Sequence, residues 1–349
     1  MTKAAKINYT EFISRASVYF PLAFTHGEIS SDTGIGANFK MIPDRLYKYC
    51  SINEYYIDAI KNRYLYMCPA DKLDDSFEVA MRFFNETFSN ISEDKFEGNY
   101  IWYLLDSIKG VNPKFDDEFT KIKQKIGSRS SRRKIEEFYN QEANKYRKDQ
   151  LWIEIESKMI VPVFQSNVEQ FFSILRRLKD TIGIHSLTTF KDSQIMWEMY
   201  GTKREGMMIE YDIASALKTL KARLLPVNYS NRRDADPLKL FFDLIALAFK
   251  GESKQAERYF YKWILKAMCT KNKEWSLQEE WRVIGDKEER FPAPPIKAVY
   301  LGSKVSEYNK QELIKLSEEK GFKVFYQYED FETMKIRYKP LIEEKEECI

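Results

Sequence analysis

The spacing of apolar residues along the chain switches between a period of two and a period near 3.6. Short runs with strand-like spacing predict β-strands at residues 46–49, 64–68, 182–188, 206–211, 223–229, 296–301, 322–328 and 334–338. Apolar residues three and four positions apart predict helices that start near 51–53 and run to 61, and at 194–200, 236–270 and 306–320. The 236–270 stretch is long enough to read as two helices. Strands and helices of these lengths are typical of a globular α+β protein.

The domain organisation follows from where this pattern changes. Residues 83–180 are helical in pattern and rich in charge, which predicts an insertion that decorates a sheet core. We expect an N-terminal arm at residues 1–42, a core in two stretches at 43–82 and 181–340, the helical insertion at 83–180, and a frayed tail at 341–349. The predicted fold class is α+β, with a mixed, mostly antiparallel sheet core and a large helical insertion.

Composition indicates a folded chain and excludes several classes of protein. Hydrophobic residues make up 44% of the 349 residues, so we expect a real core rather than disorder. Lys and Arg number 56 against 53 Asp and Glu, and this near balance gives no general argument for a nucleic-acid partner. No apolar run is long enough to span a bilayer, so we expect a cytoplasmic protein without a membrane partner. The cysteines show no CxxC and no metal-ligand spacing, which predicts reduced thiols and no metal site: Cys50, Cys68, Cys269 and Cys348.

The segment WSLQEEWR at residues 275–282 concentrates aromatic, acidic, amide and basic side chains. It leads into Val283, and this predicts a strand on which Gln278, Glu280 and Arg282 share one face. An amide, a carboxylate and a guanidinium in line form either a salt-bridged surface ladder or the lining of a polar cleft. Spacing alone favours the ladder.

Four longer segments stand in a fixed order: LYKYCSINEYYIDAIKNRYLYM, LDDSFE, GIHSLTTFKDSQIMWEMYGTKREGMMIEYD, and WSLQEEWRVI with IKAVYLG behind it. Over roughly residues 43–330, this succession resembles the bacterial family of domain of unknown function 2971 (DUF2971). The layout is similar, more distantly, to the ADP-ribosyltransferase fold. That fold carries His or Arg on its first strand, Ser/Thr or Tyr on a middle strand, and E-x-E or Q-x-E on a late strand.

The second resemblance implies NAD as a substrate, consumed by transfer of ADP-ribose to a macromolecular acceptor (protein or nucleic acid) or by hydrolysis. Glu280 is then the catalytic carboxylate that stabilises positive charge on the ribose, and Gln278 positions the acceptor. The residues expected to bind NAD are Lys48, Tyr49, Ser186, Thr188, Tyr200 and Arg282. Lys48 departs from the His or Arg of that fold, because an ammonium cannot copy a bidentate guanidinium. A bacterial toxin or phage-defence effector fits this chemistry.

Two other functions stay open at this point. One is a non-catalytic module that binds a nucleotide or peptide, which the lysine at position 48 favours. The other is a Mg²⁺-dependent nuclease built from a set of carboxylates, Asp74, Asp75, Glu78, Glu210 and Glu280.

Several of these residues also have plain structural interpretations. Helical spacing predicts core positions for Trp197 and Tyr200, and an apolar strand predicts a buried core histidine at His185. Glu210 closes a strand and is predicted to face solvent.

Overall fold

The computed structural model describes residues 42–73, 180–220, 223–231 and 237–341, with parts of two helical stretches within 9–16 and 171–177. Most of the predicted arm and insertion, and residues 342–349 of the predicted tail, lie outside the described residues, so the predicted domain bounds stay predictions. Contacts divide the chain into one unit of residues 1–73, 181–231 and 271–349, and a second of 74–180 and 232–270.

The first unit contains a sheet, and the strands of the described residues are, in chain order, β1 (Arg45–Cys50), β2 (Tyr64–Tyr66), β3 (Cys68–Pro69), β4 (Ile182–Thr188), β5 (Met207–Asp212), β6 (Leu224–Pro226), β7 (Asn228–Tyr229), β8 (Thr270–Lys271), β9 (Glu280–Asp286), β10 (Arg290–Pro292), β11 (Ile296–Leu301), β12 (Lys323–Asp330) and β13 (Lys335–Pro340). The α-helices are α1 (Glu54–Asn62), α2 (Gln194–Met199), α3 (Ile213–Leu220), α4 (Pro237–Phe249), α5 (Ser253–Met268) and α6 (Glu307–Lys320).

Nine of these strands form one sheet in the order β13-β12-β11-β5-β1-β4-β9-β6, with β3 joined to β4. Within this sheet, β11 and β12 pair in parallel and the other paired strands of the described residues are antiparallel. A parallel pair needs a crossover, and α6 supplies it between β11 and β12. The predicted α+β class with a mixed, mostly antiparallel sheet is confirmed.

Local sequence signals set the ends of the helices. The Asn53 side chain accepts a hydrogen bond from the Tyr56 backbone N–H at 3.0 Å, which caps α1. Ser306 caps α6 in the same way, and Gly321, with φ of 79°, ends it in the left-handed conformation that glycine tolerates best.

Two predicted strands are each divided in the structure. The run predicted at 64–68 is interrupted at Met67, because β2 pairs with β10 whereas β3 pairs with β4. The run predicted at 223–229 becomes β6 on the edge of the large sheet and β7, which pairs with β8 instead. Each of these strands changes partner within a few residues, a feature that alternation alone does not reveal.

The strand register sorts the side chains of the large sheet onto two faces. Tyr47 lies opposite both Glu210 and Thr188, and Thr188 lies opposite Glu280. Directly opposed residues in an antiparallel pair point to the same side, so these four side chains share what we call the Glu280 face. An aromatic cluster packs on this face and consists of Tyr47, Tyr49, Met196, Trp197, Met208, Ala298, Tyr300 and Ile336.

The opposite face carries the intervening residues and is mainly apolar. Leu46, Ile209 and Val283 are buried there. His185 lies among them, as its apolar strand predicts, with Nδ1 3.0 Å from the Tyr66 carbonyl oxygen. Its Nε2 has no hydrogen-bond partner in the described part of the chain. Burial, with the charge of Lys48, lowers the pKa of His185 to about 3, so the imidazole is neutral.

The helices within the described ranges include none with the length and apolar character needed to cross a bilayer.

Candidate active site

The segment before β9 folds into a turn that brings polar side chains together. Lys273–Gln278 form a 3₁₀-helix that Asn272 caps by accepting from the Glu274 backbone N–H at 3.0 Å. Glu279 then adopts a left-handed conformation with φ of 38°, and the strand begins only at Glu280. The prediction that Gln278 lies on the strand is therefore wrong, because the chain turns within this segment.

Gln278 nevertheless reaches Glu280 through a lysine. Lys271 Nζ donates to Gln278 Oε1 at 2.8 Å and to Glu280 Oε2 at 3.1 Å. These side chains are buried: Lys271 and Gln278 are 6% exposed and Glu280 is 5% exposed. The amide and the carboxylate of the predicted Q-x-E pair are thus joined by one buried ammonium group.

Arg282 holds the Glu280 carboxylate from the other side. Its Nε donates to Glu280 Oε1 at 2.8 Å and its Nη2 to Glu280 Oε2 at 3.3 Å. Burial raises the pKa of Glu280, but the charges of Arg282 and Lys271, with hydrogen bonds from Arg282 and Ser186, lower it to about 2. Glu280 is therefore an ionised carboxylate in a buried setting. Arg282 is fully buried and orients this acid, so it does not reach an external phosphate.

The predicted hydroxyl pair on β4 lies on the Glu280 face. Ser186 stands opposite Arg282, and Thr188 stands opposite Glu280. Ser186 is half-buried. Thr188 is buried, and its Oγ1 donates to the Gln278 carbonyl oxygen at 2.6 Å and accepts from the Phe190 backbone N–H at 3.0 Å. Thr188 therefore anchors the turn before β9, whereas the Ser186 hydroxyl lies beside the carboxylate.

Two half-buried tyrosines complete the polar group. Gln278 Nε2 donates to the Tyr200 hydroxyl at 2.8 Å, and the Glu280 backbone N–H donates to the Tyr229 hydroxyl at 2.8 Å. Burial raises the pKa of Tyr229 above its usual range, so this phenol stays protonated. Tyr229 was not among the predicted residues, and no pattern in the sequence marks it.

Two of the predicted NAD-binding residues are not placed beside Glu280. Lys48 lies on the opposite face, since it alternates with Tyr47 and pairs with Ile209. Tyr49 is on the Glu280 face but belongs to the aromatic cluster, where its hydroxyl donates to the Lys191 carbonyl oxygen at 2.6 Å. The prediction that Lys48 contributes to this site is corrected, because strand alternation turns its side chain away.

Arg45, which was not among the predicted residues, brings a guanidinium to the Glu280 face. It lies on β1, on the Glu280 face, and its Nη1 donates to Glu210 Oε1 at 2.8 Å. The Arg45 side chain is 59% exposed, whereas Glu210 is only 2% exposed. The spacing of Arg45 two residues before Tyr47, which puts both side chains on one face of the strand, was a usable signal in the sequence. The solvent-facing prediction for Glu210 is wrong, because Arg45 and the Tyr300 hydroxyl, at 2.5 Å, bond its buried carboxylate.

The structure separates two carboxylates that the nuclease hypothesis combined. Glu210 and Glu280 lie in one cross-strand row but on β5 and β9, which are three strand spacings apart, or about 14 Å. One Mg²⁺ ion cannot bridge that distance. Asp74, Asp75 and Glu78 lie outside the described residues. The described residues hold no group of three or more His, Cys, Asp or Glu side chains arranged for a metal ion.

Comparison with known proteins finds a match to one family model. The model of the protein family of unknown function DUF2971 matches residues 196–283. The DUF2971 resemblance is confirmed over this segment. The matched DUF2971 segment contains Tyr200, Lys271, Gln278, Glu280 and Arg282. No curated protein and no solved structure matches the chain.

Proposed function

We propose that this DUF2971 chain is an ADP-ribosyltransferase-like enzyme that consumes NAD, by transfer of ADP-ribose to a macromolecule or by hydrolysis. The observation that carries the proposal is the placement of Ser186 and Thr188 directly across from Arg282 and Glu280. A hydroxyl-bearing strand thus faces a Q-x-E pair whose acid is ionised. A role as a bacterial toxin or phage-defence effector is part of the same proposal, by analogy of fold.

The chemistry asked of Glu280 is electrostatic. When the bond between the ribose carbon and the nicotinamide nitrogen breaks, the electron pair leaves with nicotinamide and positive charge develops on the sugar. An ionised carboxylate held in place stabilises that charge without reorganising. Arg282 and Lys271 hold Glu280 in one position. The acceptor, or water, then bonds to the ribose carbon and loses its proton to solvent.

The binding contacts come from the accessible side chains on the Glu280 face. Arg45 offers an exposed guanidinium that suits a phosphate of the dinucleotide, because a planar fork donates two parallel hydrogen bonds. Ser186 is half-buried, and we assign its hydroxyl, which hydrogen-bonds the Glu280 carboxylate, to the ribose next to that acid. Gln278 contributes through the buried network and positions the acceptor side of the site.

The test is incubation of the purified full chain with NAD, followed by mass spectrometry of nicotinamide and of added proteins and nucleic acids. We expect nicotinamide release and, with the right acceptor, a product heavier by one ADP-ribose. Ser186→Ala lowers the rate by about tenfold, the effect of one lost hydrogen bond to the reacting region. Lys48→Ala is the matched control and leaves the rate unchanged. No turnover with any acceptor, or full activity of Ser186→Ala, contradicts the proposal.

A second function is favoured by one observation: two cations already bond the Glu280 carboxylate. The positive charges of Lys271 and Arg282 weaken the electrostatic attraction between the Glu280 carboxylate and a positively charged sugar. The same face then serves as a non-catalytic module that binds a nucleotide or peptide. A melting temperature that rises with NAD, without nicotinamide release, supports this function over the first.

A further inference from the structure

β13 is an edge strand of the large sheet. It pairs with β12 on one side, and no other strand of the described residues pairs with it. Just beyond the end of β13, the Leu341 backbone N–H donates to the Val324 carbonyl oxygen at 2.9 Å. Hydrogen-bonded and non-hydrogen-bonded pairs alternate along an antiparallel ladder. This bond therefore fixes which residues of β13 direct their backbone groups toward β12 and which direct them toward the open side, which we call the β13 edge.

Ile336 and Tyr338 direct their backbone N–H and C=O groups toward the β13 edge, because both stand an odd number of positions before Leu341. Pro340 occupies the next position of this kind, and proline has no N–H to leave unpaired there. The residues between these three bond to β12. The N–H groups of Ile336 and Tyr338 are thus placed to bond an added strand, as in complexes formed by strand addition.

The side chains of β13 differ between the two faces of the sheet. Ile336 and Tyr338 pack with the aromatic cluster. Every second residue is an exposed cation, and these cations lie on the face opposite that cluster: Lys335, Arg337 and Lys339. The Arg337 side chain is 48% exposed, and its Nε donates to Asp330 Oδ2 at 3.4 Å. The two lysines have no acidic neighbour within β13 itself.

These cations stand where an added antiparallel strand comes closest. Because Lys335 and Lys339 bond to β12, they form non-hydrogen-bonded pairs with a strand on their other side, in which opposed Cα atoms are about 4.5 Å apart. Opposite charges in such a pair attract, and like charges repel. The β13 edge of a second copy brings cations against cations, which disfavours pairing between copies. An acidic strand meets complementary charge instead.

We propose that the β13 edge binds, by antiparallel strand addition, an extended segment of a partner protein in which acidic and apolar residues alternate. The acidic residues lie opposite the cations of β13, and the apolar residues lie opposite Ile336 and Tyr338 on the side of the aromatic cluster. Phe331 and Met334, in the turn before β13, are 84% and 91% exposed and add apolar surface at one end of the edge. This binding requires neither NAD nor Glu280.

Binding of short labelled peptides to the full chain, followed by fluorescence anisotropy without NAD, tests the pairing. We expect a peptide of alternating Glu and Val to bind at least about tenfold more tightly than a peptide of the same composition with its Glu residues in one block. N-methylation of the Val residues should abolish binding, because their N–H groups bond to the backbone of Ile336 and Tyr338. N-methylation of the Glu residues should weaken binding by less than about threefold, since those N–H groups point away from β13.

Charge reversal tests the cations. Lys335→Glu combined with Lys339→Glu should abolish binding of the alternating Glu–Val peptide and allow a peptide of alternating Lys and Val to bind. The matched control is Lys61→Glu combined with Lys287→Glu, because these lysines are exposed, lie outside β12 and β13, and give the same change of net charge. This control should keep the peptide preference of the wild type.

The wild-type chain alone decides the main point, even where a charge-reversed variant does not fold. Absence of binding by the alternating Glu–Val peptide overturns the proposal. Equal affinity for the alternating and the block peptide also overturns it, because binding then reflects general attraction between charges. So does an equal loss of binding in the two double variants. Nicotinamide release is measured separately, so failure here is distinct from failure of the proposed function.

Discussion

Arg282 binds the carboxylate of Glu280 along a single strand, with its Nε 2.8 Å from Glu280 Oε1 and both side chains buried. Residues two apart on a strand share a face, so the E-x-R sequence brings the cation to the acid without another element. Lys271 adds a second cation contact from β8. A buried acid bonded from two sides is well positioned, and removing it leaves two buried cations without that carboxylate.

Glu280→Gln is therefore expected to lower the free energy of unfolding by about 3–5 kcal/mol, because Arg282 and Lys271 lose their buried counter-charge. The measurement is urea unfolding of the full chain at pH 7. Glu279→Gln is the matched control, since Glu279 is the exposed neighbour of Glu280, and its change stays within about 0.5 kcal/mol. A Glu280→Gln variant as stable as the wild type contradicts the buried network.

The contribution of Glu280 to stability also depends on pH. Its pKa is lowered from 4.5 to about 2 in the folded chain, so the unfolded chain binds the proton first. The stabilisation is complete above pH 4.5 and is lost as the pH falls toward 2, by about 3 kcal/mol in all. Urea unfolding at several pH values should show the gap between the wild type and Glu280→Gln narrowing across this window. A constant gap argues against an ionised Glu280.

His185 predicts a second pH dependence, in a higher window. Its pKa falls from 6.5 to about 3 on folding, because burial disfavours the charged ring. The neutral folded form is favoured fully above pH 6.5, and stability falls by roughly 1.4 kcal/mol per pH unit as the pH drops toward 3. Thermal or urea unfolding between pH 5 and 6.5 measures the slope, and His185→Leu should flatten it.

The control for this slope is the only other histidine in the chain, His26. His26→Gln is expected to retain the slope of the wild type. If His185→Leu keeps that slope as well, the buried neutral state of His185 is excluded.

Strand alternation predicted much of the sheet because it is a local property. The predicted bounds of β4 and β11 agree with the structure, and the placement of Ser186 with Thr188 on one face follows from their spacing. The sequence could not supply the register that sets Thr188 opposite Glu280. That pairing depends on strands about ninety residues apart, and only the family resemblance indicated it.

The residues that were missed or misplaced share a non-local cause. Lys48 was assigned to the site from its position in a motif. Side-chain alternation along β1, however, places Lys48 on the face opposite Arg45. Lys271 joins the site because the 3₁₀ turn after it folds Gln278 back, which no spacing rule encodes. Glu210 is buried by Tyr300 from β11, a contact between distant parts of the chain.

Arg45 and Lys48 give a direct test of which face binds the ligand. Arg45→Lys keeps a positive charge for Glu210 but loses the planar fork, so NAD affinity should fall about tenfold. Lys48→Ala should change it by less than about twofold, since Lys48 lies on the other face. Calorimetric titration with NAD measures both. A larger loss of NAD affinity for Lys48→Ala than for Arg45→Lys indicates that the ligand binds on the face opposite Glu280, which contradicts the proposed site.

Lys191 connects the loop after β4 to the aromatic cluster through both its backbone carbonyl and its side-chain ammonium. Its carbonyl oxygen accepts from the hydroxyls of Tyr49 at 2.6 Å and Tyr338 at 2.9 Å. Its ammonium lies 4.5 Å from the ring centroid of Tyr300 and 5.5 Å from that of Tyr338. Both distances are within the range of a cation–π interaction.

Lys191→Met removes the charge but keeps the side-chain length and the backbone carbonyl, so it isolates the contact with the rings. We expect the free energy of unfolding to fall by about 0.5–2 kcal/mol, with the larger value for a cation shielded from water. Lys203→Met is the matched control, because Lys203 is exposed and its loss should cost less than about 0.5 kcal/mol. Equal effects of the two substitutions in urea unfolding show that the rings do not hold the ammonium, and the loop is then fixed by the tyrosine hydroxyls alone.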